Sequence, residues 1–175
     1  AKDWLFLTHP ETAIKVQPKE RIRAAIKGQA CDRVAVTPIF MAWAAHFIGR
    51  SYRDYYLDMN VLVEAQLAVV RAFGIDQISV ISDPWREASA YGMKFDYPQE
   101  GVGKPQSLLV ETSDQIARIK PLDIAASPRM RQRVESVAAL SAKIGQTHSV
   151  LGWGWKPGNI ISESITSIHR FSGSG

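Results

Sequence analysis

Apolar residues follow two different rhythms along this chain. Ile22, Ala25 and Ile26 recur at spacings of three and four, which predicts a helix after Pro18 with Gly28 at its end. Val34, Val36, Ile39 and Phe40 instead form a nearly continuous run behind Asp32-Arg33. That pattern predicts a short strand buried on both faces, as parallel strands are, with Pro38 towards its end. Residues 41–49 read as helical, and residues 51–58 are amphipathic with Ser51 as a cap. The clearest helix spans 59–73: Val61, Ala65, Leu67, Ala68 and Phe73 give it a broad apolar face, and Gly74 ends it. Gln77 to Ser82 predicts a second strand, closed by Asp83-Pro84 because proline cannot continue a central ladder.

Residues 92–111 break the alternation. Lys94-Phe95-Asp96-Tyr97 and Ser107-Leu108-Leu109-Val110 flank a Pro/Gly-rich stretch and read as an inserted β-excursion. Ser113 and Asp114 can cap a short helix before Pro121. Residues 128–145 form a further helix carrying Val134, Val137, Ala138 and Ile144, and His148 to Leu151 a third strand. Strand, helix, strand, helix, strand is the pattern of parallel α/β architecture. At residue 154 the composition changes: no Ala, Val or Leu follows, and five serines, four glycines and four isoleucines take their place. Ile161, Ile165 and Ile168 can still share a helical face, while Ser172-Gly173-Ser174-Gly175 resembles a flexible linker.

Composition narrows the classes. Hydrophobic residues make up 46% and charged residues 22%, ordinary for a globular protein. The net charge of +4 is mild, and basic residues alternate with acidic ones, as in Lys19-Glu20-Arg21. This argues against a nucleic-acid partner. The single cysteine, Cys31, excludes an intrachain disulfide and a multi-cysteine zinc cluster. No apolar run approaches the roughly 18 residues needed to cross a bilayer, and Ala1 to Phe6 is too poor in apolar residues for a signal peptide. The expectation is a soluble cytoplasmic protein without a membrane partner. No dinucleotide-binding glycine motif, P-loop, Gly-x-Ser-x-Gly or His-Glu-x-x-His occurs.

Glu20 to Gly28, followed by Asp32-Arg33-Val34-Ala35-Val36-Thr37-Pro38, resembles the opening of the uroporphyrinogen decarboxylase family. The order continues with Phe73-Gly74-Ile75-Asp76, Ile81-Ser82-Asp83 and Ala90-Tyr91-Gly92-Met93-Lys94. The resemblance covers about residues 19–153. It implies a (β/α)8 TIM barrel with its site at the carboxyl ends of the strands. The superfamily includes the porphyrinogen decarboxylases and methyltransferases that move methyl groups between a corrinoid and a thiol or another acceptor. Such a barrel typically needs about 250 residues, with about 200 near the lower limit. This chain has 175, so the expected fold is a partial, truncated barrel. Its expected parts are an N-terminal arm (1–18), the N-terminal half of the barrel (19–153) and an atypical tail or artificial remnant (154–175). An open half-sheet of this kind leaves an unpaired edge and an exposed apolar face.

Asp83 is the leading candidate for catalysis. It follows Ile78, Val80 and Ile81, where a parallel strand presents its end to the ligand cavity. A carboxylate there can accept hydrogen bonds from ligand N–H groups and stabilise a developing cation. The resemblance implies more: the matching aspartate of the decarboxylases holds the pyrrole N–H groups and favours the protonated intermediate. The plainer alternative is that Asp83 caps the turn before Pro84. His46 is a candidate at the pocket mouth, against a purely structural role. Trp43 and Trp85 are candidate pocket walls, against ordinary packing. Arg86 is a candidate partner of Asp83 or of an anionic substrate, against a surface arginine.

Two departures from the family pattern choose between its branches. The decarboxylases carry Arg-Gln-Ala-Gly-Arg after strand one, whose guanidiniums bind substrate carboxylates. Here the segment is Met41-Ala42-Trp43-Ala44-Ala45-His46, with no arginine until Arg50. The loss of that anchor favours the methyltransferase-like branch. Those methyltransferases activate a thiol on zinc held by a His-x-Cys and a distant Cys in the later half of the barrel. None of His9, His46, His148 and His169 stands two residues from Cys31, so no cofactor is expected in this chain itself. Zinc and a corrinoid are expected of a complete parent. The resemblance thus implies a fragment of a corrinoid-linked methyltransferase acting on a small methylated substrate, with a corrinoid protein as partner. The alternatives are a decarboxylase of a porphyrinogen-like substrate, needing no cofactor, and a non-catalytic half-barrel that persists as a homodimer.

Overall fold

The computed structural model describes residues 16–107, 115, 120–121 and 123–153. The arm before Val16, the helix assigned to Ser113 and Asp114, the run Leu108 to Val110 and the tail from Gly154 lie outside the described residues.

Helix α1 (Pro18–Ile26) starts on proline at its first position, where a missing N–H costs nothing. Gly28 follows at φ 64°, the left-handed conformation that closes a helix end. Only Ile22 of the predicted apolar face is buried, beside Arg21; Ala25 and Ile26 are exposed. Helices α2 (Ala42–Phe47) and α3 (Tyr52–Leu57) follow, and the Ser51 hydroxyl accepts from the Asp54 N–H at 3.1 Å as the sequence predicts. Helix α4 (Met59–Phe73) is capped by Asp58 and terminated by Gly74 at φ 58°. It is buried nearly all round, through Val61, Leu62, Val63, Ala65, Leu67, Val69 and Val70, because α2, α3 and a later helix all pack on it. Phe73, at its last turn, is exposed.

Strand β1 (Gln77–Ser79) comes next, then α5 (Arg86–Ala90). The β-excursion is a small antiparallel pair, β2 (Phe95–Asp96) with β3 (Lys104–Pro105), in the register Phe95↔Pro105 and Asp96↔Lys104, so its second strand falls within the Pro/Gly-rich stretch and not at the predicted Ser107 to Val110. Helix α6 (Pro128–Ile144) returns the chain, and β4 (Ser149–Leu151) lies parallel to β1 with Ile78 opposite Val150. Two parallel strands joined through helices make this an α/β chain.

The predicted first strand is a correction. Residues 34–40 form no ladder and are largely exposed, Val34 at 87%. The segment does run beside β1, since the Asp76 N–H donates to the Val36 carbonyl at 2.9 Å. Only one side of it is engaged, however, and no element among the described residues covers its outer face. Apolar content alone does not bring burial on both faces.

Candidate active site

Among the described residues, each end of β1 holds a charged centre. Asp76 precedes the strand. It accepts from Arg21, from both Nη atoms of Arg33 (2.6 and 3.0 Å) and from the Val36 N–H (2.7 Å). Arg21 also grips Asp32 through Nε and Nη2, at 2.8 and 2.6 Å, a two-pronged contact. Burial works against the charge of Asp76, but the Val36 N–H and the two guanidiniums outweigh it and hold the carboxyl below its usual range.

Past β1 the chain stays extended from Val80 to Asp83, and α3 finishes what the ladder leaves open. Tyr52, Tyr55 and Tyr56 stand on one helical face at spacings of three and four, and all are buried. Tyr52 donates to the Ser82 carbonyl, Tyr55 to Ile81 (3.1 Å) and Phe40 (3.3 Å), and Tyr56 to Pro98 (3.2 Å). Gln66, from the centre of α4, donates to the Tyr55 hydroxyl at 2.7 Å and to the Phe40 carbonyl at 3.0 Å. These bonds satisfy carbonyls that have no strand partner. Burial, followed by the Asp83 charge, pushes Tyr52 up to about 12, so it stays a donor.

Asp83 sits at the end of this frame with its side chain fully buried. Its Oδ1 accepts from the Trp85 N–H at 3.0 Å, the predicted turn cap. Its Oδ2 accepts from the Ser82 hydroxyl (3.0 Å) and from Arg129 Nη2 (2.8 Å). Turn capping and an ion pair therefore share one carboxylate. Arg129 also lies over the Tyr97 ring, 5.8 Å from its centroid. Tyr97 in turn meets Tyr56 and Phe95, and Phe95 stacks on Trp85.

Arg86 is not the surface arginine that an isolated reading favours. It is 2% exposed and donates to the Arg129 and Tyr56 carbonyls, to Gln132 and to the Ser82 hydroxyl. It reaches Asp83 through Ser82 and not directly. Burial, then the charges of Arg129 and Arg133, lowers it to about 10. Arg133 is also buried and donates to the Trp153 carbonyl beyond the end of β4.

Of the sequence candidates, Asp83, Trp85 and Arg86 come together. Trp43 and His46 do not join them. Trp43 belongs to a half-exposed aromatic cluster with Phe40, Phe47 and Phe73, and His46 pairs with Glu100 at 2.8 Å on the surface. Neither makes a hydrogen bond, ion pair or ring contact with Asp83, Trp85 or Arg86. Arg129, Arg133, Ser82 and the tyrosine row were missed. Their signals are Arg129-x-x-x-Arg133 and Tyr52-x-x-Tyr55-Tyr56, each a single helical face. Among the described residues, no group of three or more His, Cys, Asp or Glu stands together to hold a metal ion. No helix there is long and apolar enough to cross a membrane.

No curated protein matches the chain. Among solved structures it is similar to a methyltransferase from Methanosarcina mazei, with a TM-score of 0.66 and 17% identity over 79% of this chain and 42% of that one. At that identity the likeness concerns the fold, and the chain spans less than half of the matched structure's length. The family model for uroporphyrinogen decarboxylase (URO-D) matches residues 17–161, a span that includes both ends of β1, the α3 tyrosines and Arg133. The chain belongs to the uroporphyrinogen decarboxylase family.

Proposed function

We propose that this chain is the N-terminal part of a corrinoid-linked methyltransferase of the URO-D family, with Asp83 in the cavity for a small methylated substrate. One observation carries the choice of branch. The segment Met41 to His46 offers no guanidinium: Ala44 and Ala45 are buried, Trp43 joins the aromatic cluster, and His46 faces Glu100. A porphyrinogen with its many carboxylates has no anchor there. The likeness to a methyltransferase supports the same branch.

Asp83 supplies a buried negative charge at a strand's carboxyl end, where α/β folds bind ligands. The zinc expected of a methyltransferase-type parent does not fit the described residues, since Cys31 is exposed and its thiol lies on Asp32. No step is assigned to zinc here. A corrinoid protein is the proposed partner.

The test is a titration of methylcobalamin into the 175-residue chain, read by absorbance. Saturable binding that Asp83→Asn weakens by ~10-fold or more supports the reading. Coproporphyrinogen appearing from uroporphyrinogen overturns it in favour of decarboxylation.

A second reading has its own support. Val34, Val36, Ile39, Trp43, Phe47 and Phe73 are exposed along residues 34–40, α2 and the end of α4. A second copy covering this face is the non-catalytic dimer. Sedimentation at a monomer's mass, with the chain folded, removes that alternative.

A further inference from the structure

Three guanidiniums, Arg86, Arg129 and Arg133, crowd the carboxyl end of β1, and among the described residues they face two carboxylates, Asp83 and Glu87. One cation is in excess, in a place where Arg86 and Arg133 are at least nine-tenths buried. Most of the polar atoms left over are donors, and Glu87 stands beside them with its Oε1 3.9 Å from Arg133 Nη1. Nε of each of the three arginines, Nη2 of Arg133 and the indole N–H of Trp153 are buried and meet no hydrogen-bond partner. Arginine cannot shed its proton to escape this.

The geometry of Arg133 is the most specific part. Its Nη1 is engaged by the Trp153 carbonyl. The two unpartnered atoms, Nε and Nη2, form the guanidinium's side edge, a pair of parallel N–H donors matched to two oxygens of one oxyanion. The same edge of Arg21 is used in that way in this very chain, where it holds both oxygens of Asp32.

The start of α6 adds to the positive potential. Its first turn contains Arg129 and no acidic residue, and Ser127 does not cap it with its side chain. The Ser127 hydroxyl is itself buried without a partner. A helix N-terminus of this kind favours negative charge.

We infer that Arg133, supported by Arg86, Arg129 and the start of α6, forms a binding site for the oxyanion group of a ligand: a carboxylate, sulfonate or phosphate. The site stands apart from residues 41–49, where no arginine occurs. It rests on reading the carboxyl end of β1 as the ligand-facing end, and it does not depend on methyl transfer. Asp83 then serves two purposes. It keeps Arg129 oriented, and it leaves the side edge of Arg133 to the ligand.

The test follows the arginine Nε–H signals of the ¹⁵N-labelled 175-residue chain by NMR. Sodium sulfate, sodium phosphate and sodium acetate are titrated at constant ionic strength against chloride. The expected result is a saturable shift of the Arg133 Nε–H with at least one of the three. Tetrahedral and planar probes distinguish a sulfonate or phosphate ligand from a carboxylate. Arg133→Lys, which keeps the charge and loses the edge, should weaken that binding by ~10-fold. An Arg133 signal that drifts with every salt as it does with chloride overturns the site, and so does undiminished binding in a folded Arg133→Lys. If the variant does not fold, the wild-type titration decides alone. Failure here beside saturable methylcobalamin binding removes the anion site and leaves the methyltransferase reading intact. The opposite pair of results does the reverse.

Discussion

The two ends of β1 use the same materials and finish differently. At the amino end, Asp76 and Asp32 meet Arg21 and Arg33, so charges balance. Both oxygens of Asp76 are doubly engaged, and no side-chain atom of these four residues is buried without a partner. At the carboxyl end, Asp83 and Glu87 meet three arginines, and four guanidinium nitrogens meet no acceptor. The first centre is closed: every group is spent on holding α1, residues 32–36 and β1 together. The second keeps donors in reserve. In parallel α/β folds, the amino ends of strands serve stability and the carboxyl ends carry ligands. In this chain the two ends differ in hydrogen-bond satisfaction around two buried carboxylates about one short strand apart.

The comparison breaks most readily at Asp76. Asp76→Asn leaves Arg21 buried and Arg33 half-buried without their shared counter-charge. Unfolding in urea should show a loss of about 3–5 kcal/mol, the usual cost of removing one partner from a buried pair. Asp83→Asn keeps an acceptor for the Trp85 N–H and gives up the Arg129 ion pair. Its expected loss is smaller, about 1.5–3 kcal/mol for one charged hydrogen bond. Equal losses at the two ends would erase the distinction between a closed centre and an open one.

Tyr55→Phe tests the scaffold between them. It removes the hydroxyl from the Ile81 and Phe40 carbonyls and leaves Gln66 with Phe40 alone. A loss of about 1–3 kcal/mol in urea is expected, together with a change in the NMR signals of Ser82 and Asp83. A neutral Tyr55→Phe would mean that the strand end holds itself without α3.

The smallest effect is that of acid. Asp76 has its folded pKa below the 3.8 usual for an aspartate, so the unfolded chain takes up the proton first. The stability contributed by Asp76 is then complete above about pH 4, and it falls as pH drops through 3.8 towards the folded value. Following the Asp76 carboxyl carbon by NMR should show its titration below 3.8. A midpoint above that value would mean that burial dominates over the two arginines.

Much of the fold was legible locally. Ser51 and Gly74 mark helix ends through their own side chain or backbone, and they do so where the pattern places them. The run from Gln77 announced a strand, but the ladder ends at Ser79, short of the predicted stop at Asp83-Pro84. Residues 34–40 misled, because apolar content reports what a segment is suited to touch and not what covers it. Phe73 and Ile26 were misjudged for the same reason. At the site, the turn cap made by Asp83, with the Trp85 N–H 3.0 Å from its Oδ1, was visible from Asp-Pro. The burial of Arg86 was not, since it depends on Tyr56, Ser82 and two residues of α6 reached more than forty positions away.

By itself, then, the sequence determined the ends of α3, α4 and α6 to within a residue, the start of β1 and the first arm of the β-excursion. These depend on spacing, caps and proline, which act within a few residues. Only the tertiary structure decided which charges meet. Arg129 and Arg133 share a helical face on the page, but α6 must pack beside α5 before that face turns on Asp83 and Arg86. Ion pairs across such distances are set by how elements pack, and the same packing left one end of β1 balanced and the other with donors to offer.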